Sequence, residues 1–243
     1  MRLGLLPKIQ AEPDFAIESL EAYAANYIRE EIQQEALVRS LDSFARFLEV
    51  AALMNGQIVN VAGLARDAAV ARPTVQGYFG VLADTLIGIW LPAWRKKAKV
   101  KEVTSPKFYL FDPGVVRTLA GRLREPLDSF ERGFLLETWI LHELRAAMAG
   151  LNVGGQLYYW RTPSGSEIDF IWTRSGRTVG FEVKAATRWK SEYGVALKSL
   201  ITDGQIRSGY GVYTGEVELK DGVLRVLPLK KFFKELAGGG IFE

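Results

Sequence analysis

The sequence contains no cysteine and a single histidine, His142, among its 243 residues. Disulfides, thiolate zinc sites and cysteine nucleophiles are therefore excluded, as is a zinc-binding helix that needs two histidines. Any bound metal would be held mainly by oxygen atoms, which favours magnesium, manganese or calcium.

Long apolar runs are also missing. The longest, Thr85 to Trp94, has 10 residues and includes a proline, whereas a membrane-spanning helix needs roughly 20 residues. The apolar patch after Met1 ends at Pro7, which is too short for the apolar part of a signal peptide. These features predict a cytoplasmic protein without a membrane segment.

The sequence has little excess charge, with a formal net charge of +3, and that excess is local. Residues 91–110 hold six lysines or arginines and one glutamate. Such a segment predicts salt-sensitive contacts with the phosphates of DNA. The residues assigned to these contacts are Arg95, Lys96, Lys97, Lys99 and Lys101.

Apolar residues recur at helical spacing through residues 14–55, and a more specific pattern follows. Asn60 is positioned to cap a short helix, a turn follows at residues 69–72, and Pro73 opens a longer helix. Strand-like segments at residues 87–94 and 107–111 come next, and together these elements predict a winged helix. Its second helix would present Arg72, Thr74 and Gln76 to DNA, although such modules also bind proteins.

The second half of the chain has a different pattern. We predict a turn at Asp112-Pro113-Gly114, which divides the sequence into a helical region with the winged helix (1–111) and a second domain (112–243). The second domain reads as helix, three strands, helix and strand, which predicts an α/β fold. The glycines at 238–240 predict a flexible tail.

Three acidic residues and one lysine stand out in this second domain. Side chains alternate along a strand, so Asp169 lies opposite the apolar face of its strand, and Glu182 and Lys184 lie opposite that of the next. Glu137 is the only charged member of a helical apolar stripe, and its burial requires a metal ion or a lysine as compensation.

These residues suit metal-dependent phosphodiester hydrolysis. Asp169 and Glu182 would hold Mg²⁺ or Mn²⁺ through oxygen atoms, with Glu137 completing the shell or orienting a water. Lys184 would stabilise negative charge on the reacting phosphate. The alternative is a structural ion-pair cluster in which Lys184 bridges Glu137 and Glu182.

The motif Asp169, then Glu182-Val183-Lys184, resembles that of the PD-(D/E)XK nuclease superfamily. More narrowly, residues 20–233 resemble a domain usually fused behind an AAA-type ATPase in bacteria and archaea. The matching segments are Lys107 to Gly114, Gly133 with Glu137 and Leu144, Tyr159 to Arg161, Glu167 to Phe170, and Phe181 to Lys184. The resemblance implies a winged helix followed by a restriction-endonuclease-like α-β-β-β-α-β domain with a mixed central sheet, and Glu137, Asp169, Glu182 and Lys184 as catalytic residues.

The sequence departs from that family in two respects. It has no Gly-x-x-x-x-Gly-Lys-Ser/Thr motif, so no ATP site is expected, and isoleucine precedes Asp169 where the superfamily has proline. Two functions therefore stay open: a metal-dependent nuclease acting on DNA, and a non-catalytic DNA-binding or adaptor domain that works with a partner ATPase. A hydrolase built on His142 is a third alternative.

Overall fold

A computed structural model of the chain describes residues 2–27, 38, 40–95 and 102–242. It is a mixed α/β structure in which internal contacts define two compact units. Unit 1 comprises Met1–Trp90 and Lys107–Trp139, and unit 2 comprises Leu91–Pro106 and Ile140–Glu243. The units alternate along the chain, whereas the sequence-based division has one boundary, between residues 111 and 112.

Unit 1 is mainly helical. Its helices and strands are α1 (Pro7–Ala11), α2 (Ala16–Ala22), α3 (Leu41–Leu53), α4 (Val61–Asp67), α5 (Arg72–Asp84), β1 (Gly88–Leu91), β2 (Lys107–Leu110), α6 (Pro113–Leu119) and the first half of α7 (Ser129–Gly150). Strands β1 and β2 form a two-stranded sheet. The two helices predicted after Asn60 are present, and the Asn60 side chain caps α4 by accepting a hydrogen bond from Gly63 N at 3.1 Å.

The core of unit 1 is an aromatic cluster. Phe47 is fully buried, and its ring lies 5.2 Å from that of Tyr78 and 5.0 Å from that of Phe79. The ring of Phe79 is 4.6 Å from that of Phe108 on β2. Because aromatic burial contributes large apolar areas, this cluster holds α3, α5 and β2 together.

The predicted turn at Asp112-Pro113-Gly114 is instead the start of helix α6. The Asp112 carboxylate accepts the Val115 N–H at 3.0 Å, and Pro113 occupies the first helical position. Aspartate and proline are favoured both in turns and at helix N-termini, so the residue types alone did not distinguish the two structures.

Unit 2 is built on a mixed six-stranded sheet. After the second half of α7 it contains β3 (Gln156–Arg161), β4 (Glu167–Arg174), β5 (Arg177–Lys184), α8 (Val195–Thr202), β6 (Ser208–Tyr213), β7 (Leu219–Asp221), β8 (Leu224–Pro228) and α9 (Leu229–Ala237). The strand order is β3-β4-β5-β6-β8-β7. Strands β3, β4 and β5 pair antiparallel, β5, β6 and β8 run parallel, and β7 is antiparallel to β8.

Both faces of the central strands are covered. On one face, the ring of Phe181 lies 6.1 Å from that of Phe232 on α9. On the other, helix α8 packs so closely that a Cβ at Gly180 would lie 2.4 Å from Leu197 Cδ1. The face that carries Asp169 and Glu182 is therefore buried as well, and each of these residues is only 5% exposed.

The carboxyl-terminal glycines form a hydrogen-bonded turn where a flexible tail was predicted. Gly239 N donates to Leu236 O at 3.1 Å, and Phe242 N donates to Gly239 O at 3.1 Å. Phe242 is buried, with its ring 5.0 Å from that of Trp172. The glycine turn is therefore followed by a buried aromatic contact.

Helix α7, with 22 residues, is long enough to be compared with a membrane span. Charged residues interrupt it, including Glu131, Glu137 and Glu143. Among the described residues, no helix combines the length and the apolar character needed to cross a bilayer.

Candidate functional site

Three of the four predicted catalytic residues, Asp169, Glu182 and Lys184, belong to unit 2, and the structure brings these three together. Antiparallel pairing of β4 with β5, in which Phe170 lies opposite Phe181, brings Asp169 and Glu182 side by side on one face. Lys184 Nζ lies 2.5 Å from Glu182 Oε1 and 3.8 Å from Asp169 Oδ2. A single ammonium group therefore contacts both carboxylates.

The cluster is buried at its carboxylates and open at its lysine. The side chains of Asp169 and Glu182 are 7% and 6% exposed, against 30% for Lys184. Asp169 Oδ2 also accepts a hydrogen bond from Val183 N at 2.7 Å. This bond fixes the aspartate across the strand pair, while the lysine is the member of the cluster that solvent reaches most easily.

The donor set of this cluster suits a hard cation. Two carboxylates on adjacent strands supply oxygen ligands of the kind that Mg²⁺ and Mn²⁺ prefer. Within the part of the chain that the structure describes, no group of three or more histidine, aspartate or glutamate side chains is placed to hold a metal ion. A cation at Asp169 and Glu182 would therefore compete with the ammonium group of Lys184 for the same oxygen atoms.

Glu137 lies in unit 1, where its compensating partner is a lysine. Tyr109 Oη donates to Glu137 Oε2 at 2.9 Å, and Lys107 Nζ is 3.8 Å from the same oxygen. Lys107 is 4% exposed and Tyr109 is fully buried. Within unit 1, Glu137 pairs with Lys107, and within unit 2, Glu182 pairs with Lys184; the predicted bridge from Lys184 to Glu137 stays a prediction.

The sequence pattern did not identify Lys107 and Tyr109 as partners of Glu137. Both lie on β2, and alternation along a strand puts residues two apart on one face. The sequence therefore indicates that Lys107 and Tyr109 share a face of β2. It does not indicate that Glu137 is their partner, because that contact depends on how α7 packs against β2. Asn55 sets this packing: its side chain donates to Thr138 Oγ1 at 2.8 Å and accepts from Leu110 N at 2.8 Å.

The residues assigned to DNA contact are only partly described. Arg72 and Gln76 are exposed on α5, Thr74 is half-buried, and Arg95 is exposed. A surface groove of about 580 Å³ passes Thr74. Lys96, Lys97, Lys99 and Lys101 lie outside the described residues, so their part in DNA contact stays a prediction. His142 lies half-buried on α7.

A second polar network is centred on Asp221, the last residue of β7. The carboxylate of Asp221 accepts hydrogen bonds from Trp189 Nε1 at 2.9 Å, Ser191 Oγ at 2.7 Å and Lys198 Nζ at 3.0 Å. Burial acts to raise the pKa of Asp221, but the three hydrogen bonds outweigh it and hold the pKa below its usual value. The network anchors the segment that follows β5 to strand β7.

We expect Asp221→Asn to be less stable than the unchanged protein at pH 7. A carboxylate whose pKa is lowered in the folded state contributes stability above its unfolded pKa of about 3.9, and this contribution disappears as the pH falls through the folded pKa. In urea unfolding at stepped pH, the stability difference should therefore shrink below about pH 4. A difference that is constant with pH would contradict the assignment.

Comparison with known proteins links both parts of the chain to domain families. Residues 4–125, half of the chain, match a domain of unknown function, DUF8612. Residues 132–232 match another, DUF4143, which is found C-terminal to AAA ATPase domains. No solved structure matches the chain significantly.

Two curated relatives are uncharacterized proteins of Mycobacterium bovis and Mycobacterium tuberculosis. Each is 30% identical over 224 residues, which is 89% of this chain and 48% of the relative. The chain thus spans about half the length of the curated relatives it matches. With half of its own length matched by a single family, the chain belongs to the DUF8612 family and carries a DUF4143 match behind that domain.

Proposed function

We propose that this protein acts on nucleic acid through a metal-dependent, nuclease-like site formed by Asp169, Glu182 and Lys184. The observation that carries the proposal is the meeting of these three side chains on adjacent strands, with Lys184 Nζ within 4 Å of both carboxylates. Two carboxylates and a lysine on one face are the groups needed to hold a cation beside a phosphate.

The arrangement of unit 2 supports this proposal. The chain runs from helix α7 through β3, β4 and β5 to α8 and β6, which is the helix, three strands, helix and strand order implied by the resemblance to PD-(D/E)XK nucleases. The motif residues lie on the second and third of these strands. We therefore propose a restriction-endonuclease-like core for unit 2 and a winged helix for α4, α5, β1 and β2.

In the proposed mechanism, Asp169 and Glu182 would hold Mg²⁺ or Mn²⁺ through carboxylate oxygens, together with the backbone carbonyl of Val183. When bound there, the cation would neutralise negative charge at the phosphate and would make a bound water more acidic. Lys184 would leave the carboxylates and donate to a non-bridging phosphate oxygen, where it stabilises developing negative charge.

The DNA contacts are assigned to unit 1 and to the basic segment. Arg72, Thr74 and Gln76 would contact DNA from α5, as the second helix of a winged helix does. Arg95, Lys96, Lys97, Lys99 and Lys101 would contact phosphates without reading sequence. These contacts would weaken steeply with salt.

A second candidate function is a non-catalytic adaptor or DNA-binding module in an AAA-type ATPase system. It is favoured by the ion pairs themselves, because Lys184 neutralises the carboxylates that a metal would need. The DUF4143 match also favours it, since that domain is found behind ATPase domains. In this case Asp169, Glu182 and Lys184 would stabilise the fold, and an ATPase domain would be the partner.

A cleavage assay separates the two functions. The protein is incubated with plasmid, single-stranded DNA and RNA in Mg²⁺ or Mn²⁺. We expect Asp169→Asn and Lys184→Met each to reduce cleavage at least about a hundredfold, equivalent to roughly 2.7 kcal/mol of transition-state stabilisation.

Glu235→Gln is the matched control, because Glu235 is also an ion-paired carboxylate of unit 2, bound to Arg225 at 2.8 Å. It should leave cleavage unchanged. Cleavage that persists in the Asp169 and Lys184 variants would exclude the proposed site. No cleavage, together with DNA binding that needs no metal, would favour the adaptor function.

A further inference from the structure

The carboxyl ends of the parallel strands β5 and β6 lie next to each other in unit 2. Lys184, the last residue of β5, pairs with Tyr213, the last residue of β6. In open sheets with parallel strands, ligands bind outside the carboxyl ends of the strands. The segment that leaves this edge, residues 185–194, runs over it before α8 begins.

Trp189 packs on the face of β6, two residues before the carboxyl end of that strand. Its indole lies directly on Gly211, where a Cβ would be 2.6 Å from the ring, and its Nε1 donates to Asp221. The ring of Tyr213 lies 6.4 Å away, edge to face. The contact with Gly211, the hydrogen bond to Asp221 and the contact with Tyr213 together hold the indole in place.

Tyr193 packs against Trp189 and lies beside two lysines. Its ring meets Trp189 edge to face at 5.5 Å. Lys184 Nζ is 5.8 Å and Lys190 Nζ is 5.9 Å from the centre of the Tyr193 ring. The ammonium groups of the candidate catalytic lysine and of a second lysine thus both lie within 6 Å of the centre of this half-buried ring.

The charge of this segment is positive and accessible. Residues 184–193 include three basic residues, Lys184, Arg188 and Lys190, and one acid, Glu192. Arg188 and Lys190 are exposed. Lys190 pairs with Glu192 at 3.6 Å, but both side chains are more than 60% exposed, and such surface pairs are readily exchanged for another anion.

We propose that Tyr193 and Lys190 bind an unpaired stretch of nucleic acid and lead it to Lys184. One base would stack on Tyr193, and a neighbouring phosphate would contact Lys190. Single strands are favoured over duplex because the bases of a duplex already stack on each other, so only an unpaired base offers its face to an aromatic ring. The inference builds on the proposed function, since Lys184 would act on the strand that Tyr193 holds.

The test measures binding without cleavage. Fluorescence anisotropy is recorded in EDTA with labelled dT12, rU12 and a 12-base-pair duplex, over a series of salt concentrations. We expect both single strands to bind more tightly than the duplex. Tyr193→Leu should weaken single-strand binding about tenfold with an unchanged salt slope, whereas Tyr193→Phe should retain it.

Lys190→Ala should instead make the fall of log K with log salt concentration less steep, where K is the association constant. The magnitude of the slope should decrease by about 0.7, the value for one lost phosphate contact on a single strand. Lys230→Ala, which removes an exposed lysine from α9, serves as the charge control and should leave the slope unchanged. Equal affinities of the unchanged protein and Tyr193→Leu, or tighter binding of the duplex, would overturn the inference. So would competition by inorganic polyphosphate as effective as that by dT12.

The experiment distinguishes a failure of this inference from a failure of the nuclease proposal. Tyr193-dependent binding in EDTA by a protein that cleaves nothing in Mg²⁺ would refute the nuclease and support the strand-binding surface. Cleavage by a protein whose single-strand affinity does not depend on Tyr193 would support the nuclease and refute the strand-binding surface.

Discussion

Replacing Asp112 by alanine is expected to lower the free energy of unfolding by about 3 kcal/mol. Each carboxylate oxygen accepts a hydrogen bond from a backbone N–H of unit 1: Oδ1 accepts from the nearby Val115 N at 3.0 Å, and Oδ2 accepts from the distant Leu5 N at 2.6 Å. Loss of an N-cap costs about 1 kcal/mol, and loss of a second, charge-assisted bond that leaves an N–H without its acceptor costs about 2 kcal/mol.

In Asp112→Ala, water cannot easily replace the lost carboxylate oxygens as hydrogen-bond acceptors, because Asp112 is only 2% exposed. Gly4, with φ of +77°, lets the amino-terminal segment approach, since a Cβ there would lie 2.1 Å from Asp112 Oδ1. Urea unfolding followed by circular dichroism measures the effect.

Asp67→Ala is the matched control for this prediction. Asp67 pairs with Arg66 at 3.1 Å on the surface, where its side chain is 53% exposed, and exposed pairs contribute at most about 1 kcal/mol. Equal losses for Asp67→Ala and Asp112→Ala would show that the carboxylate does not hold Leu5 and α6 together.

Replacing Lys184 by methionine is expected to lower the free energy of unfolding by about 2 kcal/mol and to create a response to Mn²⁺. The substitution removes the ammonium group that contacts both buried carboxylates. Removal of one partner from a fully buried ion pair costs about 3–5 kcal/mol, and we expect less here because the Lys184 side chain is 30% exposed.

A divalent cation should replace the missing positive charge. We expect millimolar Mn²⁺ to raise the melting temperature of Lys184→Met more than that of the unchanged protein, because a ligand that binds only the folded state stabilises it by mass action. The double variant Lys184→Met/Asp169→Asn should lose this response. The measurement tests the proposed cation ligands without any cleavage.

Lys231→Met is the control for the loss of a lysine. Lys231 pairs with Glu218 on the surface, so its removal should change stability by no more than about 0.5 kcal/mol. A Lys184→Met protein whose melting temperature is the same with and without Mn²⁺ would argue against a cation at Asp169 and Glu182.

The sheet of unit 2 was largely predictable from residue alternation. The strands predicted at 157–160, 167–172 and 178–184 correspond to β3, β4 and β5, because Val, Phe, Trp and Ile alternate with polar or small residues there. The short β7 and helix α9 were not predicted. Three residues are too few for a periodic pattern, and Pro228 at the N-cap of α9 resembles an ordinary chain break.

The candidate site was predictable only where its residues share a strand pair. Period-two alternation placed Asp169, Glu182 and Lys184 on one face, and the structure joins them. The burial of that face was not predictable, since it depends on the contact of Leu197 with Gly180. The pairing of Glu137 with Lys107 and Tyr109 likewise arises from packing between segments that are far apart in sequence.

The sheet edge at β3 bears on how this chain can be divided into fragments. Trp94 N donates to Tyr159 O at 2.6 Å, Val103 N donates to Arg161 O at 2.9 Å, and Trp160 Nε1 donates to Glu102 at 2.9 Å. A polypeptide beginning at residue 112 would lack these partners and present the backbone groups of β3 to other molecules, which invites self-association. Because the chain leaves unit 1 at residue 90 and returns at 107, no single cut releases unit 2 whole; expressing it alone would require grafting residues 91–106 back by a linker or supplying them as a separate peptide.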